Sequence, residues 1–246
     1  MKKLLLSCTL LALTASLASA QVQVSWNECE GSGNENEVFT CTVNAGTFHN
    51  LVTSFTSPAN LTAFVGSTSN VELVSGGAAM PDWWRGDACR LGQFNSVDPS
   101  GVLGLVGCVN PFDGAGLFSG LVVVQNGVNG DVNRQRIQWD AVRDSPAQIA
   151  AGAQAIAGAL EIRNAKTTGT GACAGCATPV CLVVKAVSVY QVSGTPPQDT
   201  YVLSNPATPA GANYATWQGG AVGGAGCPGA TPAKNATWGQ IKSTYR

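Results

Sequence analysis

Cysteine is the residue that most constrains the fold of this chain. The sequence has nine cysteines, and Cys8 lies in the apolar N-terminal segment. The others form an even set, as a complete set of disulfide bonds requires. Such sets are typical of exported proteins, because disulfides persist in oxidising compartments and are rare in the cytosol. The sequence therefore predicts disulfides among Cys29, Cys41, Cys89, Cys108, Cys173, Cys176, Cys181 and Cys227.

Residues 1–20 have the pattern of a bacterial secretory signal peptide. A positive start at Lys2-Lys3 is followed by the apolar or small residues 4–17 and by a small-residue cleavage site at 18–20. The apolar run is too short to cross a bilayer core of about 30 Å, which predicts cleavage rather than anchoring. We expect the mature chain to begin at Gln21 and to be secreted or periplasmic.

Spacing along the chain suggests two local disulfides, Cys29–Cys41 and Cys89–Cys108. Two arrangements are open for the remaining four cysteines: Cys173–Cys181 with Cys176–Cys227, or the same residues with their partners exchanged.

The pair Cys173-x-x-Cys176 has two other interpretations. It has the spacing of a redox dithiol, and together with Cys181 and Cys227 it could supply the four ligands of a zinc site. A redox dithiol should begin a helix that follows a strand, whereas this pair lies in a glycine-rich loop. We therefore favour structural disulfides.

The composition excludes several classes of partner. Acidic residues number 14 and basic residues 13, and only 11% of the residues are charged. Nucleic-acid binding needs clusters of Lys and Arg that neutralise phosphates. We therefore expect no nucleic-acid partner and no binding to an anionic membrane surface. We also expect no membrane span after the signal peptide.

Short runs of β-branched and apolar residues recur about every ten residues, which predicts an all-β fold. The predicted class is a disulfide-stabilised antiparallel β-sandwich, of jelly-roll or immunoglobulin/cohesin-like type, over residues 21–205. An irregular Gly/Pro-rich tail, 206–246, is predicted to pack on the same domain. Helical turns are predicted near 146–152 and before Tyr245. The predicted strands are 22–26, 38–43, 51–55, 61–65, 71–74, 121–124, 136–142, 160–162, 180–192 and 201–203.

The adjacent tryptophans Trp83 and Trp84 are the candidate ligand-binding residues. They lie in an irregular, cysteine-containing stretch, 75–118. Tryptophans in a loop can stack on sugars or anchor a protein partner, since Trp is enriched at binding hot spots. The alternative is that one or both plug an end of the sandwich.

Four acidic residues in the same stretch are weak candidates for calcium binding: Asp82, Asp87, Asp98 and Asp113. Calcium takes six to eight oxygen ligands, but these residues lack the spacing of a known calcium motif. Solvated loop carboxylates are the simpler interpretation. His49 is the single histidine, and no nucleophile motif accompanies it, so we expect no catalytic residue and no cofactor.

Several segments resemble a group of uncharacterised exported bacterial proteins. The resemblance rests on residues 164–176 (NAKTTGTGACAGC), 216–220 (TWQGG), 227–232 (CPGATP) and 237–246 (TWGQIKSTYR). It implies export and assigns no activity. The order of the strands more loosely resembles cohesin-like and carbohydrate-binding β-sandwiches, which is a likeness of fold and does not determine function.

The leading functional hypothesis is a non-catalytic exported module that binds a protein or a cell-surface or extracellular polymer. A carbohydrate and a protein are both open as partners. The alternatives are a secreted hydrolase acting on polysaccharide through loop carboxylates, and a structural subunit of an envelope or filament.

Overall fold

Two facing β-sheets form the fold in a computed structural model, which describes residues 22–29, 35–46, 48–99, 108–204 and 214–219. The smaller sheet has four strands, in the order β1 (Val22–Trp26), β3 (His49–Thr56), β8 (Gln154–Ile162) and β5 (Phe94–Val97). The larger sheet has seven strands, in the order β2 (Asn36–Glu37), β11 (Tyr214–Trp217), β9 (Val180–Gln191), β4 (Leu61–Ser75), β7 (Arg134–Ile149) and β6 (Leu117–Asn126), with β10 (Thr200–Ser204) also beside β9.

Neighbouring strands of both sheets are antiparallel, except that β2 runs parallel to β11. The predicted disulfide-stabilised β-sandwich is therefore confirmed. No helix in the described ranges is long and apolar enough to cross a membrane.

Side chains alternate across each strand, and the inward-facing set builds the core. On β9, Val180, Leu182 and Val184 are fully buried. The two sheets approach closely at the middle, where Ser69 of β4 and Thr53 of β3 form a hydrogen bond of 2.6 Å between their hydroxyl oxygens. Short polar side chains are tolerated in this core because they satisfy each other.

Strand β4 joins two segments that the sequence predicted as separate strands, 61–65 and 71–74. It is continuous over 15 residues. Its pairing with both β7 and β9 shifts register between Phe64 and Gly66, and its pairing with β9 shifts again between Asn70 and Val71. The intervening Gly, Ser and Asn residues have low strand propensity. Pairing on both sides outweighs that local preference.

The predicted helical turn at 146–152 is wrong. Residues up to Ile149 belong to β7, where Ala147 pairs with Phe64 and Ile149 pairs with Leu61. Pro146 lies where the register shifts, so the ladder does not need the N–H that proline lacks. Pairing with β4 outweighs the helix-start signal of Ser145-Pro146.

The predicted strand at 38–43 is also wrong, because only Asn36 and Glu37 form a strand in this region. Cys41 has a left-handed φ of 58°, which is incompatible with an extended strand. Its disulfide to Cys176 holds this irregular segment against the end of the sandwich.

The predicted boundary at residue 205 does not end the sandwich, because the tail contributes strand β11 to the larger sheet. Ala215 and Trp217 of β11 are fully buried. The predicted signal peptide and the terminal helical turn lie outside the described residues.

Three disulfides join segments that are distant in sequence. They are Cys29–Cys108, Cys41–Cys176 and Cys89–Cys173, with separations of 79, 135 and 84 residues. The predicted local pairs Cys29–Cys41 and Cys89–Cys108 are therefore wrong. A sandwich places distant strands side by side, so the nearest sulfur in space is not the nearest along the chain.

Both arrangements predicted for Cys173 and Cys176 are wrong as well, because each bonds a cysteine from the first half of the chain. The two sulfurs are consumed in separate disulfides, so they form neither a redox dithiol nor zinc ligands. Cys181 is also disulfide-bonded, and Cys227 lies outside the described residues.

The outer faces of the two sheets differ. On the smaller sheet, Val52, Ile156 and Ala159 are buried beneath the segment that carries Cys29. The carbonyl oxygen of Cys29 also accepts hydrogen bonds from Ser54 and Gln154 on this face, at 3.0 Å each. The outer face of the larger sheet, in contrast, is open to solvent along most of its strands.

Candidate binding face

Trp83 and Trp84 are not surface residues, because each has 0% exposure. They form a 3₁₀ turn, Asp82–Trp84, whose Trp83 ring stacks on Trp217 of β11 at 4.8 Å between centroids. The prediction that they present a binding surface is wrong, and the alternative that they plug an end of the sandwich is correct. The prediction was based on their position in an irregular, glycine-rich stretch, which is equally compatible with a buried turn.

Hydrogen bonds from the indole groups of Trp83 and Trp217 fix the aromatic plug. Trp83 Nε1 donates to Thr167 Oγ1 at 3.0 Å, and Trp217 Nε1 donates to the carbonyl oxygen of Cys176 at 2.6 Å. Two disulfides, Cys41–Cys176 and Cys89–Cys173, join the same segments. This end of the sandwich is therefore a rigid structural cap.

Arg90 is buried within the cap. Its guanidinium carbon lies 3.9 Å from the centre of the Trp83 ring, and Nη2 donates to the carbonyl oxygen of Arg163. Loss of hydration lowers the pKa of Arg90 to about 10. Because its contacts are an aromatic face and a backbone carbonyl, we assign Arg90 a packing role.

His49 also belongs to the cap. Its Nδ1 lies 2.7 Å from Glu37 Oε1 and its Nε2 lies 2.8 Å from Asn164 Oδ1, while its ring packs edge-on against Trp217 at 4.8 Å. Both ring nitrogens are occupied by structural partners. The arrangement leaves no nitrogen to activate a nucleophile.

The calcium candidates are not brought together. Asp82, Asp87 and Asp113 are exposed, and Asp87 forms an ion pair with Arg85 at 3.0 Å. The Arg85 guanidinium lowers the pKa of Asp87, chiefly through this hydrogen bond. Among the described residues, no three His, Cys, Asp or Glu side chains, Asp98 included, are grouped to hold a metal ion.

The outer face of the larger sheet is the main uncovered surface of the described fold, and we name it the open face. Inward residues of β4 such as Ser67 and Ser69 are buried, so the residues between them point outward. The open face consists of Val123 and Gln125 on β6; Arg136, Gln138, Asp140 and Val142 on β7; Gly66, Thr68, Asn70 and Glu72 on β4; Val183, Lys185, Ala186, Ser188 and Tyr190 on β9, with Lys185 at a bulge; Thr200, Val202 and Ser204 on β10; and Tyr214 on β11.

Most of these side chains are short and neutral. Backbone pairing aligns them in rows across the strands, for example Val202, Ser188, Thr68 and Asp140 from β10 to β7. Val202 is 68% exposed. Rows of short side chains lie between the longer ones, so an extended partner could contact several strands at once.

The charges on the open face are largely neutralised locally. Glu72 forms an ion pair with Arg134, at 2.6 Å from Oε1 to Nη1. It also lies opposite Arg136, because β4 and β7 pair at these residues. Arg134 also contacts Asp131 at 3.0 Å. Lys185, exposed at the bulge of β9, adds one further positive charge. The three cations Arg134, Arg136 and Lys185 are matched in number by Glu72, Asp131 and Asp140, so the face has no excess of positive charge for a polyanion.

Tyr190 and Tyr214 are partly exposed and lie toward opposite ends of the open face. Tyr214 pairs with Val183 of β9, seven positions along the same strand from Tyr190. At about 3.3 Å per residue, the two aromatic side chains are about 20 Å apart along the strand direction. Burial, with a smaller contribution from Glu35, raises the pKa of Tyr214.

Sequence reasoning predicted strand β9 but missed the open face. The signal was the alternation of short polar residues at Thr68 and Asn70 and at Ser188 and Tyr190, opposite buried positions. Recognising that these strands are adjacent required the pairing, because β4 and β9 are separated by more than half of the described chain.

Comparison with models of known protein families gave no match, and comparison with curated proteins gave none either.

Proposed function

We propose that this protein is an exported, non-catalytic module that binds an extended extracellular polymer on its open face. The observation that carries the proposal is the uncovered sheet face, on which most side chains are short and neutral and a tyrosine lies toward each end. Export is supported by the predicted signal peptide and the disulfides.

The dimensions favour a polymer over a small ligand. Small-molecule sites are concave and surround most of the ligand, whereas the open face is a sheet surface spanned by several strands. A polymer lying along β9 would contact both Tyr190 and Tyr214. The rigid cap and the disulfides keep this surface in place without the partner.

The test is retention of the oxidised protein on a panel of insoluble glycans and cell-wall polymers, with soluble products measured at the same time. Two exposed apolar residues provide a matched pair: Val202 on the open face is 68% exposed, and Leu91 beside the cap is 69% exposed. We expect retention without product release, lost in Val202→Arg and kept in Leu91→Arg.

Two results would contradict the proposal. Equal retention of both arginine variants would remove the open face as the binding surface. Product release by the purified protein would instead establish a hydrolase. If no polymer retains the protein, the function as proposed fails.

A further inference from the structure

We infer that Tyr190, Thr68 and Asp140 form a subsite of the open face for the hydroxyl groups of a neutral glycan. This inference rests on the proposed function and names the class of polymer. The three residues lie on the neighbouring strands β9, β4 and β7, near one end of the face.

A directed chain of hydrogen bonds links the three side chains. The Tyr190 hydroxyl donates to Thr68 Oγ1 at 3.2 Å, and Thr68 Oγ1 donates to Asp140 Oδ1 at 2.6 Å. Each donor is thereby fixed in direction, and the carboxylate of Asp140 terminates the chain as an acceptor. The side chains are held in place before a ligand arrives, which lowers the entropic cost of binding.

The tyrosine ring leans across the sheet. Tyr190 pairs with Gly66, yet its hydroxyl reaches Thr68, two residues farther along β4. Gly66 places no side chain between Tyr190 and Val142, the other partner of Gly66 in the sheet. Because Tyr190 is partly exposed, its ring is available for stacking against the apolar face of a sugar ring.

The carboxylate of Asp140 is accessible beside this ring. Among the described residues, its Oδ1 accepts the Thr68 hydroxyl, and its Oδ2 has no hydrogen-bond donor. The neighbouring strand β6 has a glycine here, and a Cβ at Gly120 would lie 2.4 Å from Asp140 Cβ. The carboxylate can therefore accept hydrogen bonds from sugar hydroxyls.

The charge of the subsite selects against acidic glycans. Asp140 would repel a uronate or sulfate. Arg134 and Arg136 are engaged with or opposite Glu72, and exposed Lys185 lies five residues from Tyr190 along β9, outside the subsite. Like charges placed together are a strong source of discrimination between partners. A neutral polymer of hexoses satisfies the carboxylate with hydroxyl donors and brings no second negative charge to the subsite.

The test is calorimetric titration of the oxidised protein with a β-1,4-linked glucose hexasaccharide and with a polygalacturonate fragment of equal length. We expect the neutral probe to bind and the acidic probe to bind at least about tenfold more weakly. Asp140→Asn keeps the shape and the acceptor for Thr68, and should weaken the neutral probe by about tenfold. The control is Asp113→Asn, at an exposed loop position, which should change nothing.

Two tyrosine variants separate the ring from its hydroxyl. We expect Tyr190→Ala to weaken binding by about tenfold or more, and Tyr190→Phe to weaken it by only a few fold because the ring remains. Thermal unfolding midpoints of the variants establish that each is folded, since all three side chains lie at the surface of the sheet.

The outcomes distinguish this inference from the proposed function. If Val202→Arg abolishes retention on a polymer but the Tyr190 and Asp140 variants bind normally, or the acidic probe binds better, the subsite is refuted and the binding face survives. If Val202→Arg has no effect on retention, or no polymer is retained, both are refuted.

Discussion

Removing any one of the three described disulfides should destabilise the protein by nearly the same amount, although their separations along the chain are 79, 135 and 84 residues. The reason is that the three bonds close a single ring. The ring consists of the bonds and the three short segments 29–41, 89–108 and 173–176.

The magnitude follows from this ring. When one bond is removed, its two cysteines are still connected through the other two bonds and the three short segments. This path contains about 34 residues, and that number is the loop length that determines the entropy lost when the bond forms. That relation then gives about 4 kcal/mol for each single removal, against about 5 kcal/mol for an isolated loop of 135 residues. A second removal opens a long loop and should cost about 4.5–5 kcal/mol.

The assay is urea unfolding of the oxidised protein and of three double variants, each replacing one bonded pair by alanine. Cys41→Ala with Cys176→Ala, and the equivalent changes at Cys29–Cys108 and Cys89–Cys173, should lower the free energy of unfolding by similar amounts. Costs that differ by more than about 2 kcal/mol among the three pairs would refute the ring argument, as would a loss below about 1 kcal/mol.

Two further predictions concern the cap and the open face. Trp83→Ala should lower the free energy of unfolding by about 3–5 kcal/mol because it leaves a cavity against Trp217; denaturant unfolding measures this, and a loss below about 1 kcal/mol would mean that the ring is not a core residue. The raised pKa of Tyr214 means that the folded state holds the phenolic proton more tightly than the unfolded state. The free energy of unfolding of the wild type, measured relative to that of Tyr214→Phe, should therefore fall as the pH rises above about 10. A difference between the two proteins that stays constant across this pH range would contradict the raised pKa of Tyr214.

The fold was predictable from the sequence because its strongest signals are local. Residues 22–26 and 180–192 alternate or concentrate β-branched residues, and they form β1 and β9. Where the prediction failed, long-range pairing outweighed local preference. Pro146 carries a helix-start signal but lies in β7, because β4 supplies a partner strand.

The disulfide pairing and the candidate site were not predictable for the same reason. Cys41 and Cys176 meet because β2, β11 and β9 are brought to one end of the sandwich, and no local spacing encodes that. Thr68, Asp140 and Tyr190 are ordinary strand residues until the pairing of β4, β7 and β9 aligns them. Trp83 illustrates the opposite error, since a buried plug and an exposed binding loop have the same local sequence.

The most direct test of the account is to locate a retained polymer on the folded protein by nuclear magnetic resonance. Soluble fragments of the best-retained polymer are added to the isotope-labelled protein, and the shifts of backbone and side-chain amides are followed. The account predicts that the largest shifts cluster on the open face, at residues such as Asn70, Gln138 and Ser188. A cluster at the cap instead, for example at exposed Phe48 and Leu91, would contradict it.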